Sequence, residues 1–206
     1  MSEEQNSWNA FSLLAGWILA NLIGWTTGLL AAGIISPMIS RIQFPWPRDS
    51  DMDLAYVGLI LLGVTIGVAQ WTVLRHYLPR SVYWIAATMI GYLLGAIIFA
   101  LANDDPVRLL RTEIVNNLVL FGLMGTAIGA SQWWVLRQRY LNAGLWVLAS
   151  AFGFLFFIMI VVYPAPSQAV LYLRSAIIGA FAAAFTGVWL VWIIRRPLAG
   201  ISHQTA

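Results

Sequence analysis

Charged residues divide the chain into long apolar windows. Six stretches of at least 20 residues contain no Asp, Glu, Lys or Arg. They run over 5–40, 54–74, 81–103, 114–136, 140–173 and 175–194. A helix needs about 20 apolar residues to cross the hydrocarbon core of a bilayer, whereas a membrane β-strand needs about 9–11 residues of alternating polarity. The windows therefore predict transmembrane helices near 11–35, 55–75, 82–102, 114–137, 144–163 and 171–194.

Turn-forming residues lie between these windows. Pro37 falls where the first long loop is predicted to begin. Asp49, Asp51 and Asp53 have the opening spacing of a calcium-binding loop. Leu54 stands where that loop needs glycine, so we interpret the segment as an acidic, solvated loop.

One segment of the chain recurs. Residues 63–75 read Gly-Val-Thr-Ile-Gly-Val-Ala-Gln-Trp-Thr-Val-Leu-Arg, and 125–137 repeat the glycines, glutamine, tryptophan and arginine. The similarity extends further, because 63–93 align with 125–155 without gaps and 12 of 31 positions are identical. Within the predicted first helix, 17–28 align with 84–95, with 6 of 12 positions identical.

This pattern makes predicted helices 1, 3 and 5 one type and helices 2, 4 and 6 another. It predicts an all-α, polytopic membrane bundle of six transmembrane helices, arranged as three tandem helical hairpins. The hairpins would cover approximately 11–75, 82–137 and 144–196 of a single membrane domain, followed by a short polar tail at 197–206.

The repeated segment resembles a loosely defined group of bacterial multi-pass membrane proteins that repeat G-x-x-x-G-x-x-Q-W-x-V-L-R. The match covers helices 2 to 5 well, helix 1 partly and helix 6 poorly. Ala183 and Phe157 stand where the pattern has glycine, and Leu190 stands where it has glutamine. The resemblance implies a multi-pass membrane fold and adds no catalytic residue.

Composition agrees with a membrane protein. The 206 residues are 61% hydrophobic and 9% charged, whereas soluble domains carry about 25% charged residues. The net charge of +3 is small and its arginines are scattered, so no nucleic-acid partner is expected. Cysteine is absent, which excludes disulfides and thiolate metal sites.

Arginine placement predicts the orientation. Six helices put both termini on one side, which would also hold Arg75, Arg80, Arg137, Arg139, Arg195 and Arg196. The other side would hold Arg41, Arg48, Arg108, Arg111 and Arg174. The first set directly abuts helix ends, where the positive-inside rule weighs most. We therefore expect the cell (inner) membrane, with both termini cytoplasmic.

Glycines four residues apart allow close helix packing, because they remove side-chain bulk from one helix face. Four predicted helices carry such a pair, which indicates a packing role for Gly24, Gly28, Gly63, Gly67, Gly91, Gly95, Gly125 and Gly129. A glycine-lined path or a hinge is the alternative interpretation.

Gln70 and Gln132 are polar positions inside predicted spans. An unpaired amide in hydrocarbon costs several kcal/mol, so each should find a partner. An interhelical hydrogen bond is one interpretation, and a shared polar site for a solute or headgroup is the other. The aligned residue of helix 6 is Leu190, which excludes a ring of three glutamines.

Tryptophan and arginine are placed to set helix depth. Trp71 and Arg75 are four residues apart, as are Trp133 and Arg137. With Arg195 and Arg196 they predict an aromatic and basic belt that contacts lipid phosphate. Further tryptophans expected in this belt are Trp84, Trp146, Trp189 and Trp192.

The predicted spans contain no Asp, Glu, Lys or His, and the chain has no Ser-His-Asp set, phosphate loop or HExxH motif. We therefore expect no cofactor, no metal and no enzymatic activity. The favoured function is a scaffold, accessory subunit or lipid-contacting module, with the bilayer, a membrane-protein partner or a second copy as partners. The alternative is a small transporter or channel with its site near Gln70 and Gln132.

Overall fold

The computed structural model describes residues 3–39, 50–78, 80–103, 113–159, 163 and 166–197. Residues 198–206 of the predicted polar tail lie outside this part, as do most of the two long loops. Arg41, Arg48, Arg108 and Arg111 of the topology prediction therefore lie outside the described residues.

The described chain is helical. Its helices, in chain order, are α1 Glu3–Ile39, α2 Ser50–Leu74, α3 Tyr83–Asn103, α4 Glu113–Leu136, α5 Leu145–Leu155 and α6 Gln168–Ile194. The described residues contain no strand, only an isolated antiparallel bridge between Tyr140 and Pro197. The prediction of an all-α chain is confirmed.

Four of the helices are long and apolar enough to cross a membrane. These spans are Ala10–Ile35, Tyr83–Leu101, Ile114–Leu136 and Ala169–Ile194. Two further apolar helical stretches, Gly58–Leu74 and Leu145–Leu155, are shorter. Large apolar side chains such as Ile34, Leu101 and Phe181 are exposed on the outer surface. A bilayer accepts such a surface, whereas water does not, and the chain is a membrane protein.

Two loop predictions were wrong at the helix ends. Pro37, predicted in the first loop, lies in the last turn of α1. Residues 50–53 of the predicted acidic loop form the first turn of α2.

Helix α5 is shorter than the predicted 144–163. It ends at Leu155, and the chain continues in tight turns in which Phe156 N–H donates to Gly153 O and Phe157 N–H donates to Phe154 O. Phe157 stands where the aligned helices have glycine, and its ring is buried and stacked on Trp25. Phe156 and Phe157 thus form a turn, after which residues 158–159 are helical again.

The six helices close into a ring. Each helix packs against the one before and the one after it in the chain, and α6 packs against α1. One end of the ring is joined by the turns after α2, α4 and α6, where Leu141 N–H donates to Arg196 O and Tyr140 O–H donates to Tyr77 O at 3.5 Å. The largest buried cluster lies towards this end and includes residues of all six helices.

Candidate functional site

Three tryptophans from alternate helices meet inside the ring. Trp17 of α1, Trp84 of α3 and Trp146 of α5 are at most 2% exposed. Their ring centroids lie 5.7–6.0 Å apart in pairs, in edge-to-face and tilted arrangements. The prediction that Trp84 and Trp146 belong to an interfacial belt was wrong, because the interior of the ring buries them.

Gln70 holds one side of this cluster. Its Oε1 accepts a hydrogen bond from Trp84 Nε1 at 2.8 Å, and its Nε2 donates to Asn21 Oδ1 at 2.9 Å. Asn21 in turn donates through Nδ2 to Trp17 O, one turn back in α1. The amide of α2 therefore links α3 on one side to α1 on the other.

Gln132 makes the same set of contacts two helices further along the chain. Its Oε1 accepts from Trp146 Nε1 at 2.9 Å, and its Nε2 donates to Thr88 Oγ1 at 2.9 Å. Thr88 donates to Trp84 O, as Asn21 does to Trp17 O. Gln132 Nε2 also lies 3.4 Å from Gln70 Oε1, so the two amides are in contact. The structure thus brings both predicted glutamines together and gives each protein partners.

The third position of this arrangement is built differently. Trp17 Nε1 donates to Thr186 Oγ1 of α6 at 3.2 Å, and Thr186 donates to Ala182 O. Leu190, which aligns with the glutamines, is fully buried in the main apolar cluster. Ser150, which aligns with Asn21 and Thr88, is 4% exposed.

A cavity of about 50 Å³ lies beside the tryptophan cluster. Its lining includes the polar side chains of Asn21, Gln70, Gln132, Ser150 and Thr186, together with Tyr92. Aromatic and small residues complete the wall, including Trp25, Phe154, Phe157 and Gly179. The cavity therefore combines a few polar groups with a mainly apolar wall.

Glycines lie where neighbouring helices approach most closely. A Cβ on Gly24 would lie 2.8 Å from Ile66 Cα, and one on Gly91 would lie 2.6 Å from Ile128 Cα. The remaining glycines of the predicted set also lie against the next helix: Gly28 against α2, Gly63 and Gly67 against α3, Gly95 against α4, and Gly125 and Gly129 against α5. Helices α1 to α4 each present glycine to the helix that follows.

Arginines stack on tryptophans at the end of the ring where α2, α4 and α6 finish. Arg75 Cζ lies 5.6 Å from the Trp71 ring centroid, and Arg137 Cζ lies 5.0 Å from that of Trp133. A third pair with the same four-residue spacing joins Arg196 to Trp192 at 3.9 Å. All three arginines are exposed, and their tryptophans are half-buried.

The sequence alone did not identify several members of this site. It did not predict that the indole of Trp17 contacts those of Trp84 and Trp146, although the three tryptophans occupy aligned positions. It also placed Arg195 at the aligned position of α6, whereas the stacked pair is Trp192 with Arg196, one residue further along. Among the residues that the structure describes, no three His, Asp or Glu side chains lie close enough to hold a metal ion.

The fold and site define a helical membrane protein with a polar, tryptophan-lined centre and an arginine-rich end. No protein-family model matches this chain, and no curated protein or solved structure is significantly similar to it.

Proposed function

We propose that the protein is a non-enzymatic membrane scaffold that binds anionic lipid phosphate at its arginine-rich end. In this proposal all six helices cross the cell's inner membrane as three tandem hairpins, with both termini in the cytoplasm. The shorter helices α2 and α5 cross together with the turns and helical residues beside them.

The three stacked tryptophan–arginine pairs support lipid binding most strongly. A half-buried indole fixes the guanidinium of Arg75, Arg137 or Arg196 at one depth. Arginine binds phosphate through two parallel N–H groups, and stacking reduces the freedom that it loses on binding. Each pair is therefore a preorganised clamp for a lipid headgroup.

Charge at this end of the ring favours anionic lipid. Six arginines follow α2, α4 and α6, whereas six of the eight acidic residues fall in 49–53 and 104–113, at or before the starts of α2 and α4. Few carboxylates of the chain are thus placed to compete for the guanidinium groups. Each basic residue near an anionic surface contributes about 1 kcal/mol of attraction.

A comparison of two double variants tests this proposal. Arg75→Gln with Arg137→Gln removes two stacked guanidinium groups, and Arg80→Gln with Arg139→Gln removes the same charge from unstacked positions at the same end. Lipid retained in native mass spectrometry, from nanodiscs of phosphatidylglycerol and phosphatidylcholine, is the readout. We expect the first variant to retain about thirtyfold less phosphatidylglycerol, since two contributions of about 1 kcal/mol each make about 2 kcal/mol. The second should change less.

Equal losses in the two variants would contradict the clamps and leave only a general charge effect. Unchanged retention in both would contradict lipid binding at this end altogether. Phosphatidylcholine binding serves as the internal control, because it reports damage to the fold.

The transporter alternative has less support. Gln70 and Gln132 are engaged by Trp84, Trp146, Asn21 and Thr88, so their amides are held in fixed positions. The indole cluster also fills the middle of the ring on the side of the arginine end. A transport path would have to displace these packed aromatic rings.

A further inference from the structure

The hydrogen-bond pattern around the ring predicts where a third amide would act. Gln70 of α2 bonds to α3 and α1, and Gln132 of α4 bonds to α5 and α3. If the same pattern continued to α6, an amide at position 190 would face Trp17 of α1 and Ser150 of α5. Leucine occupies that position and cannot form either bond.

Ser150 is left as the polar group of this third position. Asn21 and Thr88 each donate to the carbonyl one turn back and accept from a glutamine. Within the described residues the Ser150 hydroxyl does neither, although the residue is 4% exposed and borders the cavity. A hydroxyl that lines a cavity can bond to water in place of protein, so a water partner is expected for Ser150.

We propose that the cavity is a specific binding site for ordered water, which replaces the third amide. Its volume of about 50 Å³ holds about two molecules, since a water in the liquid occupies about 30 Å³. A stable internal water needs two to four hydrogen-bonding partners.

Partners for this water come from three helices. Ser150 offers its hydroxyl, Gln132 Oε1 has a second lone pair beside the bond from Trp146, and Gln70 Nε2 has a second N–H beside its bond to Asn21. All three side chains line the cavity. The water would connect α5 to the amide pair of α2 and α4, at the place where the third hairpin lacks its own amide. This inference is independent of lipid binding at the arginine end.

A structure of the wild-type protein at a resolution that shows ordered water tests the site first. We expect density within about 3.2 Å of Ser150 Oγ and of at least one glutamine amide. A cavity without density, or density continuous with a lipid acyl chain, would overturn the proposal.

Two variants test the same site through stability. Ser150→Ala removes one partner of the water, and we expect the Tm in detergent to fall by about 2–4 °C with loss of the density. Ser131→Ala is the matched control in the neighbouring helix, because the Ser131 hydroxyl bonds only to Ile128 O of its own turn among the described residues. An unchanged Tm for Ser150→Ala would contradict bound water.

Leu190→Gln supplies the missing amide. We expect it to bond to Ser150 and Trp17, to displace the water, and to keep the Tm at or above that of the wild type. Leu190→Met is the control that keeps the position apolar and should retain the density. If Leu190→Gln folds with a lower Tm than Leu190→Met and the density persists, the proposal is wrong; if it does not fold, the wild-type density and Ser150→Ala decide.

Discussion

The amide centres of α2 and α4 differ from the corresponding place in α6, although all three face a buried indole. At the first two, a glutamine links three helices through bonds of 2.8–2.9 Å. At the third, Thr186 accepts one longer bond from Trp17, and Leu190 fills apolar space. Two indoles are therefore held by amide oxygens, whereas Trp17 is held by a hydroxyl and by apolar packing.

The contact between α3 and α4 also differs from the corresponding contact between α5 and α6. Gly91 and Gly153 align, but a Cβ added to Gly91 would lie 2.6 Å from Ile128 Cα, whereas one added to Gly153 would lie 2.8 Å from the Thr186 Cγ2 methyl. Backbone atoms cannot move without shifting a helix, while a side chain can rotate. The contact between α5 and α6 is therefore the more tolerant one.

Alanine at these two aligned glycines gives the largest predicted effect. Overpacking a tight contact costs about 1–3 kcal/mol of stability. We expect Gly91→Ala to lower the free energy of unfolding by about 3 kcal/mol and Gly153→Ala to lower it by about 1 kcal/mol. Unfolding in a denaturing detergent measures both. Gly144→Ala is the control, since a Cβ there meets nothing within 4 Å.

If Gly153→Ala lowered stability as much as Gly91→Ala, the contact between α5 and α6 would be no more tolerant than that between α3 and α4. That result would mean that Thr186 is held as rigidly as backbone, through its bonds to Trp17 and Ala182.

Loss of a hydrogen-bond acceptor gives the next effect. Gln132→Leu leaves Trp146 Nε1 and Thr88 without their partner, and we expect a loss of about 1–2 kcal/mol. Thr186→Val removes one acceptor at the third position, with an expected loss below about 1 kcal/mol. Thermal unfolding in detergent orders the two variants.

If Thr186→Val destabilised the protein as much as Gln132→Leu, the hydroxyl at the third position would stabilise the fold as strongly as an amide does. A second check combines Gln132→Leu with Trp146→Phe, which removes the stranded donor. The stability losses of Gln132→Leu and Trp146→Phe, measured separately, should then sum to more than the loss of the double variant.

The smallest effect concerns pH at the arginine end. Burial raises the pKa of Tyr140 above its ordinary 10.0, and Arg139 partly opposes this. The neutral phenol is thus favoured in the folded state, so its contribution is complete below pH 10.0 and is lost as the pH rises through the folded pKa. Tyr140→Phe should remove this alkaline loss of Tm, measured between about pH 8 and pH 11. An unchanged pH profile would show that Tyr140 does not carry it.

Sequence periodicity and charge spacing predicted an all-helical membrane protein and the approximate position of every described helix. The four-residue spacing of Trp71 with Arg75 and of Trp133 with Arg137 was visible in the sequence, and the structure shows both as stacked pairs. Periodicity and spacing could not predict the indole cluster, because tryptophan near a helix end fits an interfacial position as well as a buried one. The side of the ring on which Trp84 lies is decided by its bond to Gln70, which depends on tertiary packing.

The early end of α5 was unpredictable for a related reason. The window 140–173 is continuously uncharged, so hydropathy extends the helix to the next proline. The helix nevertheless ends at Leu155, where Phe156 and Phe157 form a turn. A turn inside a uniformly apolar window leaves no signal in charge spacing or hydropathy.

Helix α5 also provides the most direct test of the three hairpins. Its 11 residues rise about 16 Å, about half of the hydrocarbon thickness. The three-hairpin proposal therefore requires the residues after it to complete the span. The chain has no cysteine, so Asn142→Cys and Ser167→Cys, made separately, each give a unique labelling site on either side of it. With a membrane-impermeant maleimide on oriented vesicles, we expect the two variants to label from opposite faces, with position 142 on the face of both termini. Labelling of both from the same face would contradict three hairpins.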